Sequence, residues 1–481
     1  PVDVDFGARH NEYQYYELGS NYVVIPLAAR AIENETYDYT DPQNNPDSVL
    51  NGMKATITRD SIWVTKEAFA EAQMSLFEMQ GGSAAGVVGL EYREEEYFDQ
   101  YDSLQEAGVI GGSAGNSAGT DRRVKSAFFE LFMPVIDSLE VSLSGRFEDY
   151  NDVGENFAPK LSARYQPLSN VTLRASVGQG FRAPDLSVIS ALPSFSAEPI
   201  GNDEATCLAD DPANTFDQDA QQCLNGAGDP TQQQVNSTII SNPQLEAEES
   251  DQFSFGAAWD INDIFNVSMD YYNIEITDRI NFISPAEIVE RLGTGESIPA
   301  GLGVTRNAAR GNQIVNVIAG SANDGTLQTS GIDIEGGALL GISGFGEFKS
   351  TLRASYVLEY ELDGGRDQIG EPGLPEYRIT LDNQFQTGPL AVALNMNHIA
   401  DTAAAVDGAG NQSGHIPSWT TWDLQLTYDL PVISGGQIGA GALNVFDRDP
   451  PLSPFDGRNY NFYLYNQYGR QPYIKYTQTF N

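Results

Sequence analysis

The chain has 481 residues, 41% of them apolar and 10% aromatic, which excludes a disordered acidic polymer and leaves several domains or one large closed structure. Its 67 acidic against 26 basic residues give a formal net charge of −41, a field that repels phosphate backbones and excludes a nucleic-acid partner. No run of apolar residues reaches the length of a transmembrane helix; membrane-crossing strands need only about 9–11 alternating residues each and leave no such mark.

Period-two alternation dominates the chain. Leu139, Val141, Leu143, Gly145 and Phe147 fall on one face, with Glu140, Ser142, Ser144, Arg146 and Glu148 on the other. Val171, Leu173, Ala175 and Val177 oppose Thr172, Arg174 and Ser176. Phe253, Phe255, Ala257 and Trp259 oppose Gln252, Ser254 and Gly256. Tyr377, Ile379, Leu381 and Phe385 repeat the pattern, as do Trp422, Leu424, Leu426, Tyr428 and Leu430. About 16 such strands are read, in an all-β architecture. Short joins near 80–84, 134–138, 166–170, 261–265, 387–389 and 431–436 alternate with long ones near 17–59, 101–120, 183–248, 279–322, 401–415 and 449–468. Short turns on one rim and long loops on the other are the build of a transmembrane antiparallel β-barrel, whose apolar face meets lipid and whose polar face lines the lumen.

Few helices are expected. Ser284, Pro285 and Glu287 ahead of Ile288, Val289 and Leu292 form a capped start to a short helix, and Tyr22 to Ile32 is a second candidate. Glu94, Glu95 and Glu96 read as a strand end entering a wet loop. Cys207 and Cys223 share one polar stretch, and such a close pair points to a disulfide and an oxidising compartment, two free thiols being the alternative. No histidine lies near enough to make them a zinc site; the three are His10, His398 and His415. Asp203, Glu204, Asp210 and Asp211 could gather round a cation, but their spacing matches no EF-hand. No nucleophile elbow, zinc-protease helix, phosphate loop or Cys-x-x-Cys is present, so no enzyme, resident metal or cofactor is expected.

Several phrases carry more. NVTLRASVGQGFRAPDLS begins at Asn170, with Gly178 and Gly180 relaxing the backbone and Pro184 ending the ladder. NPQLEAEESDQFSFGAAWD (242–260), DYYNIEITDRI (270–280), TSGIDIEGG (329–337), LPEYRITLDNQF (374–385) and ALNVFDRDPP (442–451) follow, and the chain closes on GRNYNFYLYNQYGRQPYIKYTQTFN. In order and spacing these phrases resemble the strand ends of TonB-dependent receptors, most strongly from about 85 to 481. The resemblance implies the outer membrane of a Gram-negative bacterium. It implies a 22-stranded barrel with an N-terminal plug and a box that binds TonB. Neither plug nor box is read here, so residues 1–481 are expected to be a partial barrel lacking the plug and first strands. A self-closed pore of about 16 strands is the alternative.

The implied function is import of a scarce nutrient such as a siderophore, cobalamin or oligosaccharide. The implied partners are a TonB-type energy-coupling protein acting through the plug, a small-molecule ligand, outer-membrane lipid and lipopolysaccharide, and the barrel-insertion machinery. That machinery reads a terminal aromatic residue, here Phe480 followed by Asn481. A passive acidic porin is the second reading, and an adhesin or surface enzyme on a barrel anchor a third, for which no segment looks large enough. Candidate ligand residues are Arg182 at the upper rim and Tyr460, Phe462, Tyr463, Tyr465, Asn466 and Tyr468 of the last loop, since aromatics and amides together offer flat faces beside hydrogen bonds. Their competing roles are an ion-pair partner for nearby acids (Arg182) and an aromatic girdle at the lipid boundary (the last loop). The loop from 183 to 248 is a further candidate.

Overall fold

A computed structural model describes residues 2–112, 115–200, 203–217, 222–231, 233–407, 410–453 and 457–480. Sixteen strands form one antiparallel sheet in which each pairs with its neighbours in chain order. They are β1 (Val2–Val23), β2 (Lys54–Met79), β3 (Gly82–Tyr101), β4 (Ala118–Ile136), β5 (Leu139–Tyr150), β6 (Gly154–Leu168), β7 (Val171–Arg182) and β8 (Glu248–Asp260). The sheet continues with β9 (Phe265–Thr277), β10 (Leu327–Ile342), β11 (Gly346–Leu362), β12 (Tyr377–Thr387), β13 (Leu390–Ile399), β14 (Trp419–Asp429), β15 (Gly436–Leu443) and β16 (Gln471–Gln478). Among the described residues no register joins β1 to β16, so the sheet has two unpaired edges.

The register turns the alternation into two chemically distinct faces. Across β7 and β8, Val177 faces Phe253 and Ala175 faces Phe255, while Ser176 faces Ser254 on the opposite side. The apolar face is not packed against a second sheet: Leu90 is 66% exposed, Val177 53% and Phe255 50%. Exposed apolar area on that scale is stable against hydrocarbon and not against water. The other face carries ion pairs both along strands and between them. Arg93 bridges Glu91 and Glu95, Arg146 reaches Glu91 and Glu148, Arg174 pairs with Asp270, and Arg353 holds Glu335 and Asp382. Such opposite-charge neighbours suit a wet lumen.

Long and short links alternate as expected, with one exception. Residues 151–153 join β5 to β6 on the long-loop rim. The link 343–345 on the short-turn rim and the link 363–376 on the long one were not singled out in the sequence. The strands also outrun their expected ends. β1 has 22 residues and β2 has 26; the latter would extend roughly 85 Å at 3.3 Å per residue, far more than a membrane crossing needs. Glu94, Glu95 and Glu96 are therefore not a strand end: they lie inside β3, where Glu95 pairs with Arg93 and Glu96 with Lys66 at 2.7 Å. The helix sought at Tyr22 to Ile32 spans Ile25–Glu33, because β1 runs on to Val23. At the other end β16 stops at Gln478, so Phe480 lies beyond it and is 89% exposed; Asn481 is outside the described residues.

The two longest links fold together into a cap. Ser194–Ile200 runs antiparallel to Gln233–Ile240, which lies parallel to Gln313–Asn323. Gln313–Asn323 also pairs with Ile280–Ile283 and Gly303–Asn307. These five strands close over a core that includes Ile200, Val235, Ile283, Ile288, Ile314 and Val317. The helix Pro285–Thr294 supplies Ile288 and Val289 to it. Its start is as read: the Ser284 hydroxyl accepts from the Glu287 amide at 3.2 Å, proline occupies the first turn, and Gly295 ends it at φ 79°. Cys207 and Cys223 form a disulfide inside the cap, both fully buried. No single segment builds this unit; two segments do so jointly.

Candidate functional site

Beneath the cap lies a cavity of about 380 Å³. Its barrel side is Arg59 of β2 with Tyr97, Asp99 and Tyr101 of β3. The β2–β3 register sets Arg59 opposite Tyr101 and Ser61 opposite Asp99, which brings the guanidinium diagonally onto the carboxylate. Arg59 donates to both oxygens of Asp99 at 2.8 and 2.7 Å, the Tyr97 hydroxyl donates to the same carboxylate at 3.1 Å, and the guanidinium stacks over Tyr101 at 4.4 Å. This bidentate pair fixes its own geometry and cancels the charge of a carboxylate only 3% exposed. The cap side is Ile239, Ile240, Phe282 and Ser321. One wall is thus hydrogen-bonding and aromatic, and the other sets Ile239, Ile240 and Phe282 beside Ser241 and Ser321. Arg122, itself 5% exposed, pins the turn that enters the cap: it pairs with Asp152 and donates to the Pro184 carbonyl, each at 2.8 Å.

The expected ligand residues separate into different roles. Arg182 pairs with Glu248 at 2.6 Å. Tyr465 is 3% exposed and packs edge-on against Trp419, ring centroids 5.6 Å apart, beside Ile399. Burial pushes the Tyr465 hydroxyl pKa up, and among the described residues that hydroxyl has no hydrogen-bond partner. Tyr460 packs on the same cluster and donates to Gln467 at 2.9 Å. Phe462 and Tyr463 face outward together, their rings 3.9 Å apart, with Arg458 over Phe462 at 4.0 Å. Only Asn466 and Tyr468 line a second cavity, of about 400 Å³, which they share with Arg378, Asn397, Trp419, Thr421 and Asp423. The sequence reading missed Arg59, Asp99 and Phe282. Arg59 and Asp99 meet only through strand register, and Phe282 reaches the cavity only because two loops share a sheet.

The acidic run of the 183–248 loop is built into the cap. Asp203 accepts from Arg306 at 2.6 and 3.0 Å and from Thr206 at the start of the helix Glu204–Asp210. Among the described residues no group of three or more His, Cys, Asp or Glu is placed to hold a metal ion. Burial opposes the Asp203 charge, yet the bonds from Arg306 and Thr206 outweigh it and hold the pKa below the ordinary 3.8. A depressed carboxyl pKa stabilises above its unfolded value and ceases to do so as pH falls through the folded one. Pepsin cleavage within the cap should therefore accelerate only as pH falls below 3.8. Asp203→Asn should loosen the cap by about 2 kcal/mol at neutral pH and remove that acid step.

A family model described as "TonB dependent receptor-like, beta-barrel" matches residues 3–445. The chain belongs to that family. As a TonB-dependent receptor barrel it is an outer-membrane protein of a Gram-negative bacterium. It is 25% identical over 199 residues to a protein of Acinetobacter baumannii named "Probable TonB-dependent siderophore receptor PirA", covering 40% of this chain and 23% of that one. It is 28% identical over 104 residues to the ferric enterobactin receptor of Pseudomonas aeruginosa, covering 21% and 14% respectively. The solved siderophore receptor PirA from Acinetobacter baumannii shares the fold with a TM-score of 0.62 at 17% identity, over 99% of this chain and 60% of that chain. A solved mutant of the ferric enterobactin receptor PfeA from Pseudomonas aeruginosa gives 0.60 at 16%, over 89% and 58%. The chain thus spans about 60% of the length of the solved receptors it matches.

Proposed function

We propose that this chain forms the wall and external loops of an importer that captures an iron–siderophore complex and passes it inward on energy from a TonB-type partner. The observation that carries the reading is a polar, ion-paired lumen roofed by a folded two-loop cap with a ligand-sized cavity beneath it. The names of its relatives, siderophore receptors among them, support the substrate class. We infer that further strands pair with the free edges of β1 and β16, because each unpaired backbone group in hydrocarbon costs several kcal/mol. Coupling to TonB is assigned to a plug region outside residues 1–481. Arg182 serves the rim as an ion pair, and Asn466 and Tyr468 are the last-loop residues best placed to touch ligand. Lipopolysaccharide contact and recognition by the insertion machinery remain part of the proposal.

The competing passive porin draws support from the net charge of −41. The two differ in energy coupling. Cells making the full-length protein should accumulate iron-55 from a panel of labelled siderophores, and an uncoupler should abolish the uptake. Uptake that persists with the membrane potential collapsed would establish the porin instead.

A further inference from the structure

The eight segments on the long-loop rim carry 32 acidic against 9 basic residues, a net of −23. The segment 183–247 alone holds ten acids and no lysine or arginine. Several of the few cations there are already paired: Arg291 with Glu287 and Asp324, Arg306 with Asp203, Arg366 with Glu371, and Arg470 with Asp447. The cavities repeat the theme. Arg59 meets the cavity under the cap with its charge cancelled by Asp99. Arg378 shares the second cavity with Asp423. The cavity under the cap thus offers no uncompensated cation, the second holds one arginine and one aspartate, and both lie behind a strongly negative rim.

From this we infer the charge class of the ligand: a ferric chelate with no net negative charge and an apolar body, of the tris-hydroxamate type rather than the tris-catecholate type. The inference rests on the import reading. Each hydroxamate loses one proton on binding iron(III), so three leave the complex neutral, or cationic when the backbone carries an ammonium. Each catecholate loses two, so three leave it at minus three. A rim at −23 attracts the cationic chelate and repels the trianion, and focusing of this kind changes association rates by about 10- to 1,000-fold. Ile239, Ile240 and Phe282 then cover the apolar portion of the ligand, while Tyr97, Tyr101 and Ser321 meet its carbonyl and amide groups.

The test uses the full-length receptor in outer-membrane vesicles and three probes: a cationic ferric tris-hydroxamate, a neutral one, and a trianionic ferric tris-catecholate. At about 10 mM ionic strength, where the screening length is about 30 Å, the cationic chelate should associate at least about tenfold faster than the trianion. The gap should narrow at about 150 mM, where that length is about 8 Å. Neutralising exposed cap acids in Asp210→Asn/Asp229→Asn/Glu246→Gln should narrow it as well. Faster association and tighter binding of the catecholate, with uncoupler-sensitive uptake of it, would overturn the charge inference and leave the import reading intact. Failure of all three chelates to enter cells by uncoupler-sensitive uptake would overturn both.

Discussion

Ile288→Ala is expected to loosen the external cap by about 3 kcal/mol while the barrel stays assembled. Ile288 is fully buried and packs in the core that joins the helix Pro285–Thr294 to the strands of both long loops. Removing its three outer carbons loses transfer energy and leaves a hole that a five-stranded sheet of short strands closes only in part. The loss concerns one local unit, because the barrel ladder does not run through this core. Hydrogen exchange separates the two, since local openings report local stability. Amides of Gln313–Asn323 should exchange about a hundredfold faster at 3 kcal/mol, and amides of β8 and β9 should not change. Equal acceleration in cap and barrel would show that the cap is not an independent unit. A response confined to the helix would show that the two loops do not share a core.

Phe255→Arg is expected to cost the assembled barrel about 2–4 kcal/mol, the penalty for a cation on the lipid face near the bilayer midplane. Phe255 sits near the middle of β8, faces outward, and is 50% exposed with only Ala175 and Tyr271 beside it on the ladder. Ser254, one residue away, faces the lumen and exchanges a hydrogen bond with Ser176 at 2.7 Å. Ser254→Arg should cost far less, because its cation enters a wet wall already rich in ion pairs. The readout is the fraction of protein that keeps its folded mobility on gels after insertion into lipid. Equal losses for the two variants would remove the distinction between faces.

The wall was legible because hydrocarbon on one side and water on the other impose a different chemistry on every second residue. That constraint is local, so Phe253, Phe255 and Ala257 reveal it without knowledge of their partners. Strand ends were less legible. Above the membrane both faces are wet, so Glu94, Glu95 and Glu96 continue β3 under the guise of a loop. The cap was nearly invisible for another reason. Its parallel pairing sets Asn236 opposite Asn316, and strands such as Ile280–Ile283 are too short to show a period. Only the helix signal from Ser284 to Gly295, which is complete within its own segment, could be read in advance. The last loop shows the same limit. Tyr465 and Tyr468 are alike in sequence, and packing on Trp419 makes one of them core while the other stays 65% exposed.

One face of these strands meets lipid and the other lines an aqueous lumen, and import through this barrel depends on that division. Spin labels on single cysteines introduced from Gln252 to Ala257 test it directly; the native pair Cys207 and Cys223 is oxidised and will not compete for label. In reconstituted outer membrane, labels at 253, 255 and 257 should collide with oxygen dissolved in the bilayer. Labels at 252, 254 and 256 should collide instead with a water-soluble nickel chelate. Access of the nickel chelate to both sets would contradict a lipid-facing wall, and with it the importer built upon it.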